Sequence, residues 1–300
     1  MNPLEVKKIK AAFWFAGLVL LCAALILVGH LSTNSLEFSR YNTGWNGTSQ
    51  FFSDLDRHRV VEISNLTQLT TSPANATLLI IAPYRQPTTG ERVAYRAFVE
   101  RGNTIILADD FGTGNAILRG IGSRISILQG NVSSIDREYA DSYSAVAYRS
   151  ANVTPVQNIQ KILLNRAAPL EGGTTLVRTS SMSWIDENGD RRINNNEPLG
   201  SFAVMAADQI GSGRLIVISD PSIFINSMYA EDARWDNRLL INNLVGGDGA
   251  ILVDGTNSRT RNAQGLNEIL HVIRTTLLIE LVLFGVLMLG VAWTWRQKKI

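Results

Sequence analysis

Along the middle of the chain, short β-branched runs with few charges alternate with amphipathic stretches. "HRVVEI" (58–63), "TLLIIA" (77–82), "NTIILAD" (103–109) and "GRLIVIS" (213–219) suit strands buried on both faces of a parallel sheet. Between them, "GTSQFFSDLDRH" (47–58) reads as a helix capped by Thr48 or Ser49. "TTGERVAYRAFVERG" (88–102) puts Val93, Ala97 and Phe98 on one helical face and ends at Gly102. "ARWDNRLLINNLVGG" (233–247) repeats the arrangement with Trp235, Leu239, Leu240 and Leu244. Strand–helix–strand alternation of this kind predicts an α/β domain with a mostly parallel sheet. Residues 120–200 are richer in Ser, Asn and Gly and predict an inserted β-rich segment with antiparallel strands, including "TTLVRTS" and "GSFAVMA".

Two longer apolar runs frame this domain. Residues 11–31 have no strongly charged side chain, and residues 275–295 have one, Glu280; each is long enough to cross a hydrocarbon core. Lys7, Lys8 and Lys10 flank the first run, and Arg296, Lys298 and Lys299 flank the second. The positive-inside rule then predicts a two-pass protein of the cell membrane. Tails 1–10 and 296–300 would be cytoplasmic, and 32–274 an extracytoplasmic domain. Trp14, Trp293 and Trp295 fall where interfacial aromatics are expected. The alternative for residues 1–31 is a cleaved signal peptide, but the apolar core exceeds the usual length of about 7–15 residues and no small-x-small site follows. Glu280 would mark a partner or ion path, or pair with Arg274 near the interface.

The net charge of +2 is concentrated at the ends, since Lys161 is the only lysine between Lys10 and Lys298. No basic field remains to bind nucleic acid. Cys22, the only cysteine, lies in the first apolar run, so the outer domain has neither disulfide nor thiol chemistry. Asn46, Asn65, Asn75, Asn131 and Asn152 begin Asn-x-Ser/Thr sites that an outer domain of a glycoprotein would expose.

"YNTGWNGTS" (41–49), "LLIIAPYRQPTTGE" (78–91), "FVERGNTIILADDFGTGNAIL" (98–118), "GRLIVISDPSIFIN" (213–226) and "DNRLLINNL" (236–244) together resemble the domain of unknown function family 4350. The resemblance implies a membrane protein whose outer domain has a flavodoxin-like sheet, related to class I glutamine amidotransferases and to gliding-motility and intraflagellar-transport proteins. It implies no particular reaction.

Candidate chemistry centres on "LADDFGTGNAIL" (107–118), a strand, a tight turn and a helix start. In an open parallel sheet, ligands sit beyond the C-terminal strand ends. Asp109, Asp110, Gly112, Thr113, Gly114 and Asn115 therefore become crevice candidates, with the helix N-terminus offering amides to an anion. Asn42 in the 39–49 stretch, and Asp220 and Ser222 after the 213–219 strand, would converge on the same edge. Amidotransferase-like enzymes carry a nucleophilic cysteine on such a turn, and here Gly112, Thr113 and Gly114 stand instead. The histidines, His30, His58 and His271, supply no evident base. The expectation is a non-catalytic binding or assembly domain, an accessory component of an envelope or transport complex. The alternative is a surface hydrolase or amidase using the 107–118 turn, with or without assistance from a metal on Asp109, Asp110 and Asp220.

A second constellation lies in "DENGDRRINNNE" (186–197). Asp186, Asn188, Asp190, Asn194 and Glu197 fall at the first, third, fifth, ninth and twelfth places of an EF-hand-type calcium loop, and Arg192 offers its carbonyl at the seventh. Arg191 stands at the sixth, where a sharp turn favours glycine. Strand-like flanks predict a structural calcium site outside any EF-hand pair.

Overall fold

The computed structural model describes residues 3–55, 60–136, 141–230 and 234–261, with 269, 270, 285, 288 and 290. The chain forms two compact units, one made of Met1–Ser35 with Ala263–Ile300 and the other of Leu36–Asn262. In the first, helix α1 (Pro3–Leu31) contains the window Trp14–Leu31, with a mean hydropathy of 2.3, long and apolar enough to cross a membrane. Apart from 285, 288 and 290, the expected second span at 275–295 lies outside the described residues, as do Arg274, Glu280 and the 296–300 tail.

In the second unit, the chain order begins with α2 (Ser49–Leu55), β1 (Val60–Ile63), β2 (Thr77–Ile81), α3 (Thr89–Glu100), β3 (Thr104–Ala108) and α4 (Gly114–Ile121). The inserted segment contributes β4 (Ser126–Ile127), β5 (Asn131–Ser134), β6 (Val146–Arg149), β7 (Lys161–Leu163), β8 (Leu170–Glu171), β9 (Thr174–Thr179) and β10 (Ser183–Asp186). Then come β11 (Ala203–Ile210), β12 (Gly213–Ile218), α5 (Asn226–Tyr229), α6 (Asn237–Val245) and β13 (Ile251–Asp254).

The four predicted parallel strands appear as β1, β2, β3 and β12. Their neighbours follow the order β1-β13-β2-β3-β12, all parallel. β13, an "ILVD" run too short to stand out in the sequence, pairs between β1 and β2. Beyond β12 the sheet turns antiparallel through β11, β9, β6 and β7. The inserted segment is therefore largely an extension of the main sheet, with only β5 and β10 forming a separate antiparallel pair.

Side chains on the central strands alternate between two apolar layers. Leu79, Ile81, Ile106, Ile216 and Ile218 pack with Phe51 of α2 and with Leu240 and Ile241 of α6. Leu78, Ile80, Ile105, Leu107, Leu215 and Val217 pack with Tyr95 and Phe98 of α3 and with Ile117 of α4. Both faces are covered, so the strands carry no polar face, as their sequences require. α3 begins with a capping box: Thr88 Oγ1 accepts from the Glu91 amide at 3.3 Å and Glu91 Oε2 from the Thr88 amide at 2.7 Å. Gly102, at φ +97°, follows its end.

α2 departs from expectation at its start. The Thr48 hydroxyl donates to the Phe38 carbonyl at 2.8 Å, and the Gln50 amide is met by the side chain of Asn226. Among the glycosylation candidates, Asn65, Asn75 and Asn152 are exposed, while Asn46 and Asn131 are half-buried.

Candidate functional site

Three of the parallel strands, β3, its neighbour β12 and, on the other side of β2, β13, end in a buried aspartate that holds the following turn. After β3, Asp109 Oδ2 accepts from the amides of Gly112 at 3.0 Å and Gly114 at 2.7 Å. After β12, Asp220 accepts from Ser222 N at 2.7 Å and from Asn165 N, in the insertion, at 2.6 Å. At the end of β13, Asp254 accepts from the amides of Thr256 at 2.7 Å and Asn257 at 3.0 Å, and from the Tyr95 hydroxyl. Backbone donors emerging beyond a parallel sheet need acceptors, and a short carboxylate at the strand end supplies them.

This arrangement reassigns several candidates. The amides that would hold an anion at the start of α4 already bind Asp109, so its carboxylate occupies the anion's place. A Cβ at Gly114 would lie 2.8 Å from Asp109 Oδ2 and 3.1 Å from Leu107 Cδ2, so close packing accounts for that glycine. Gly112 takes φ +89° in the turn. Asn115 turns from the crevice and clips β4, donating to the Ile127 carbonyl at 2.8 Å and accepting from its amide at 2.9 Å.

Asn42 is buried and scaffolds the 42–47 loop. Its Nδ2 donates to Leu36 O at 3.0 Å and Asn46 Oδ1 at 2.9 Å, and its Oδ1 accepts from Gly44 N at 2.7 Å. Gly47 lies so close that a Cβ would fall 1.9 Å from the Asn42 carbonyl.

A crevice of about 520 Å³ opens at this sheet edge. Of the sequence candidates, Asp109, Asp110, Thr113 and Ser222 line it; Asn42, Gly112, Gly114, Asn115 and Asp220 do not. Arg166, Arg259, Asn165 and Phe111 also line it. No local pattern marks Arg166 or Arg259, which reach the crevice only through the sheet topology. Burial raises the pKa of Asp109 and takes Asp220 to about 6. Asp110 is pushed to about 8, first by burial and then by the charges of Asp220 and Asp109. Lining the crevice, it holds its proton to higher pH than an ordinary carboxyl. Among the described residues, no group of three or more His, Cys, Asp or Glu side chains is placed to hold a metal ion. Of the three aspartates named for a metal-assisted version of the hydrolase alternative, Asp109 and Asp220 accept from backbone amides, and Asp110 lines the crevice.

The 186–197 loop folds on itself. Asp186 accepts from the amides of Gly189 at 2.7 Å and Arg191 at 2.9 Å, and from the Tyr143 hydroxyl at 2.9 Å. Glu197 accepts from the amides of Glu187 and Asn194, each at 3.1 Å. Asp190 Oδ2 meets Nδ2 of Asn188 and of Asn194 at 3.2 Å each, and Asp190 Oδ1 accepts from Arg192 N at 2.8 Å. Arg191 takes φ +61°, the left-handed turn that glycine would occupy more cheaply.

The family described as domain of unknown function (DUF4350) matches residues 40–245. No curated protein matches the chain. Among solved structures, the N-terminal domain of mmIFT52 aligns with a TM-score of 0.50 at 14% identity, over 67% of this chain and 91% of that one, and shares the fold. A ThuA-like protein from Bacteroides uniformis ATCC 8492 aligns with a TM-score of 0.38 at 11% identity, over 65% of this chain and 80% of that one. A β-galactosidase from Bacillus circulans sp. alkalophilus aligns with a TM-score of 0.33 at 11% identity, over 74% of this chain and 27% of that one. Neither of these last two similarities bears on function.

Proposed function

The chain belongs to the domain of unknown function family 4350, and from that premise we propose that it is a membrane-anchored, non-catalytic binding or assembly domain. In this reading α1 and the 275–295 run are membrane helices with both termini cytoplasmic. The domain between them is extracytoplasmic, with a flavodoxin-like, amidotransferase-related sheet. It serves as an accessory component of an envelope or transport complex, and a structural calcium ion stiffens the 186–197 loop.

One observation carries the non-catalytic part: the strand-end carboxylates Asp109 and Asp220 are spent on backbone amides. The turn residues Gly112, Thr113 and Gly114 bring no thiol where an amidotransferase-like turn would carry one, and among the described residues no histidine or cysteine lines the crevice. What the crevice offers is recognition: polar groups of both signs beside exposed aromatic rings. One feature favours the hydrolase alternative, the raised pKa of Asp110, which suits a general acid.

The test is purification of the full-length protein from its native membrane under gentle solubilisation, with identification of what accompanies it. Stoichiometric envelope or transport subunits are expected. A protein that emerges alone and monodisperse, and that hydrolyses amide or ester substrates in an Asp110-dependent way, would overturn this function.

A further inference from the structure

Among the described residues outside α1, the most exposed aromatic side chains are Phe111 at 74%, Trp45 at 68% and Tyr84 at 52%. Phe111 and Trp45 both line the crevice, and Tyr84 adjoins Pro83, which also lines it. Because Trp45 and Phe111 line the same crevice, they are not singly scattered surface apolar residues, and such grouping marks an interaction site.

Their backbones are firmly held. The Trp45 carbonyl accepts from Ser227 N at 3.1 Å, and Asn226 Nδ2 donates to the adjacent Gly44 carbonyl at 2.6 Å. Phe111 precedes Gly112, whose amide Asp109 fixes. A rigid backbone carrying an exposed ring is pre-organised to meet a flat apolar face, with little ordering cost on binding.

The polar lining mixes donors and acceptors: Asp110, Asn165 and Arg166 all line the crevice, and the Arg166 guanidinium stacks 5.1 Å from the Tyr143 ring centroid. A free phosphate finds the α4 amides already taken. The lining carries both signs, Arg166 and Arg259 with Glu37, Asp110 and Asp141, so it suits neither a bare anion nor a simple cation, and an apolar ligand would strand the polar groups. A pyranose has hydroxyls that both donate and accept, and a C–H face that packs on an aromatic ring. The volume of about 520 Å³ suits one or two such rings.

We infer that this crevice is a carbohydrate-binding site, taking a neutral pyranose unit of an extracellular glycan against Trp45 and Phe111, with Asp110, Asn165 and Arg166 meeting its hydroxyls. The inference rests on the binding-domain reading above and adds the ligand class.

The test uses the full-length protein in nanodiscs free of glycoside detergents, since a maltoside headgroup would compete. Maltotetraose, cellotetraose, mannotetraose and chitotetraose are titrated by calorimetry, with spermidine and inorganic phosphate as controls. Saturable binding of at least one tetrasaccharide is expected, with neither control binding at the same site. Trp45→Ala and Phe111→Ala should each weaken it at least tenfold with unchanged thermal unfolding, and Trp45→Tyr should retain most of it.

Absence of binding by all four tetrasaccharides, or binding that survives both alanine substitutions, would overturn the inference. Chromatography of the bound sugar separates the two readings. Cleavage products would uphold the carbohydrate site and overturn the non-catalytic function. Loss of co-purifying subunits on Trp45→Ala, with no sugar bound to the wild type, would overturn the carbohydrate site and leave the assembly function standing.

Discussion

Asn226 caps a helix that begins 177 residues earlier: its Oδ1 accepts from the Gln50 amide at 2.9 Å, at the start of α2. Its Nδ2 donates to the carbonyls of Gly44 at 2.6 Å and Asn42 at 3.2 Å, so one buried amide joins the Trp45 loop, α2 and the turn after β12. Asn226→Ala would leave these buried backbone groups without partners and is expected to cost about 2–4 kcal/mol. Asn226→Asp keeps the acceptor but sets a carboxylate against two carbonyls, so it should destabilise at least as much. Thermal unfolding of both variants checks the order.

Two glycines separate packing from helix propensity. Gly114→Ala forces a methyl against Asp109 and Leu107 and is expected to cost about 1–3 kcal/mol. Gly90, in the first turn of α3, has open space around it, and Gly90→Ala should stabilise by about 0.5–1 kcal/mol. Opposite shifts in denaturant midpoint are expected.

Asp110 gives the domain a pH signature. An acid whose pKa is raised on folding contributes stability that is full below its unfolded value, and loses it as the pH rises through the folded value of about 8. Asp110→Asn removes this titration. Relative to wild type, the variant should gain about 1–2 kcal/mol between about pH 5 and about pH 9, less than the full shift implies because water reaches the carboxyl. Asp220, shifted in the same direction, is coupled to Asp110 through its charge, so the difference reports the pair. Melting curves across that range check it; a constant difference would refute it.

Calcium removal probes the 186–197 loop. EDTA should lower the melting temperature of the wild type, and calcium should restore it. Asp186→Ala is a poor control, since this buried side chain holds Gly189, Arg191 and Tyr143 whether or not an ion is bound. Asp190 is exposed, so Asp190→Ala should preserve the fold and abolish the EDTA response. A wild-type melt indifferent to EDTA would remove the ion from the proposed function.

The amino-acid sequence by itself determined the features that depend on neighbours along the chain. The β-branched runs with few charges became β1, β2, β3 and β12; Thr88, Glu91 and Gly102 bounded α3; and the first apolar run became a helix of membrane-crossing length. Periodicity, capping and length act over a few residues and are therefore written locally.

Tertiary structure decided which chain segments meet. It inserted β13 between β1 and β2 and turned β6, β7 and β9 into an extension of the main sheet. It brought Arg166 and Arg259 to the crevice, while Asp109 and Asn115, both within the conspicuous turn, went to the backbone. The sequence could mark Asp109 and Asp110 as adjacent carboxylates but could not assign one to the turn amides and the other to the crevice. That choice depends on which donors the fold leaves unsatisfied beside each strand end, and those donors come from segments far apart in the chain.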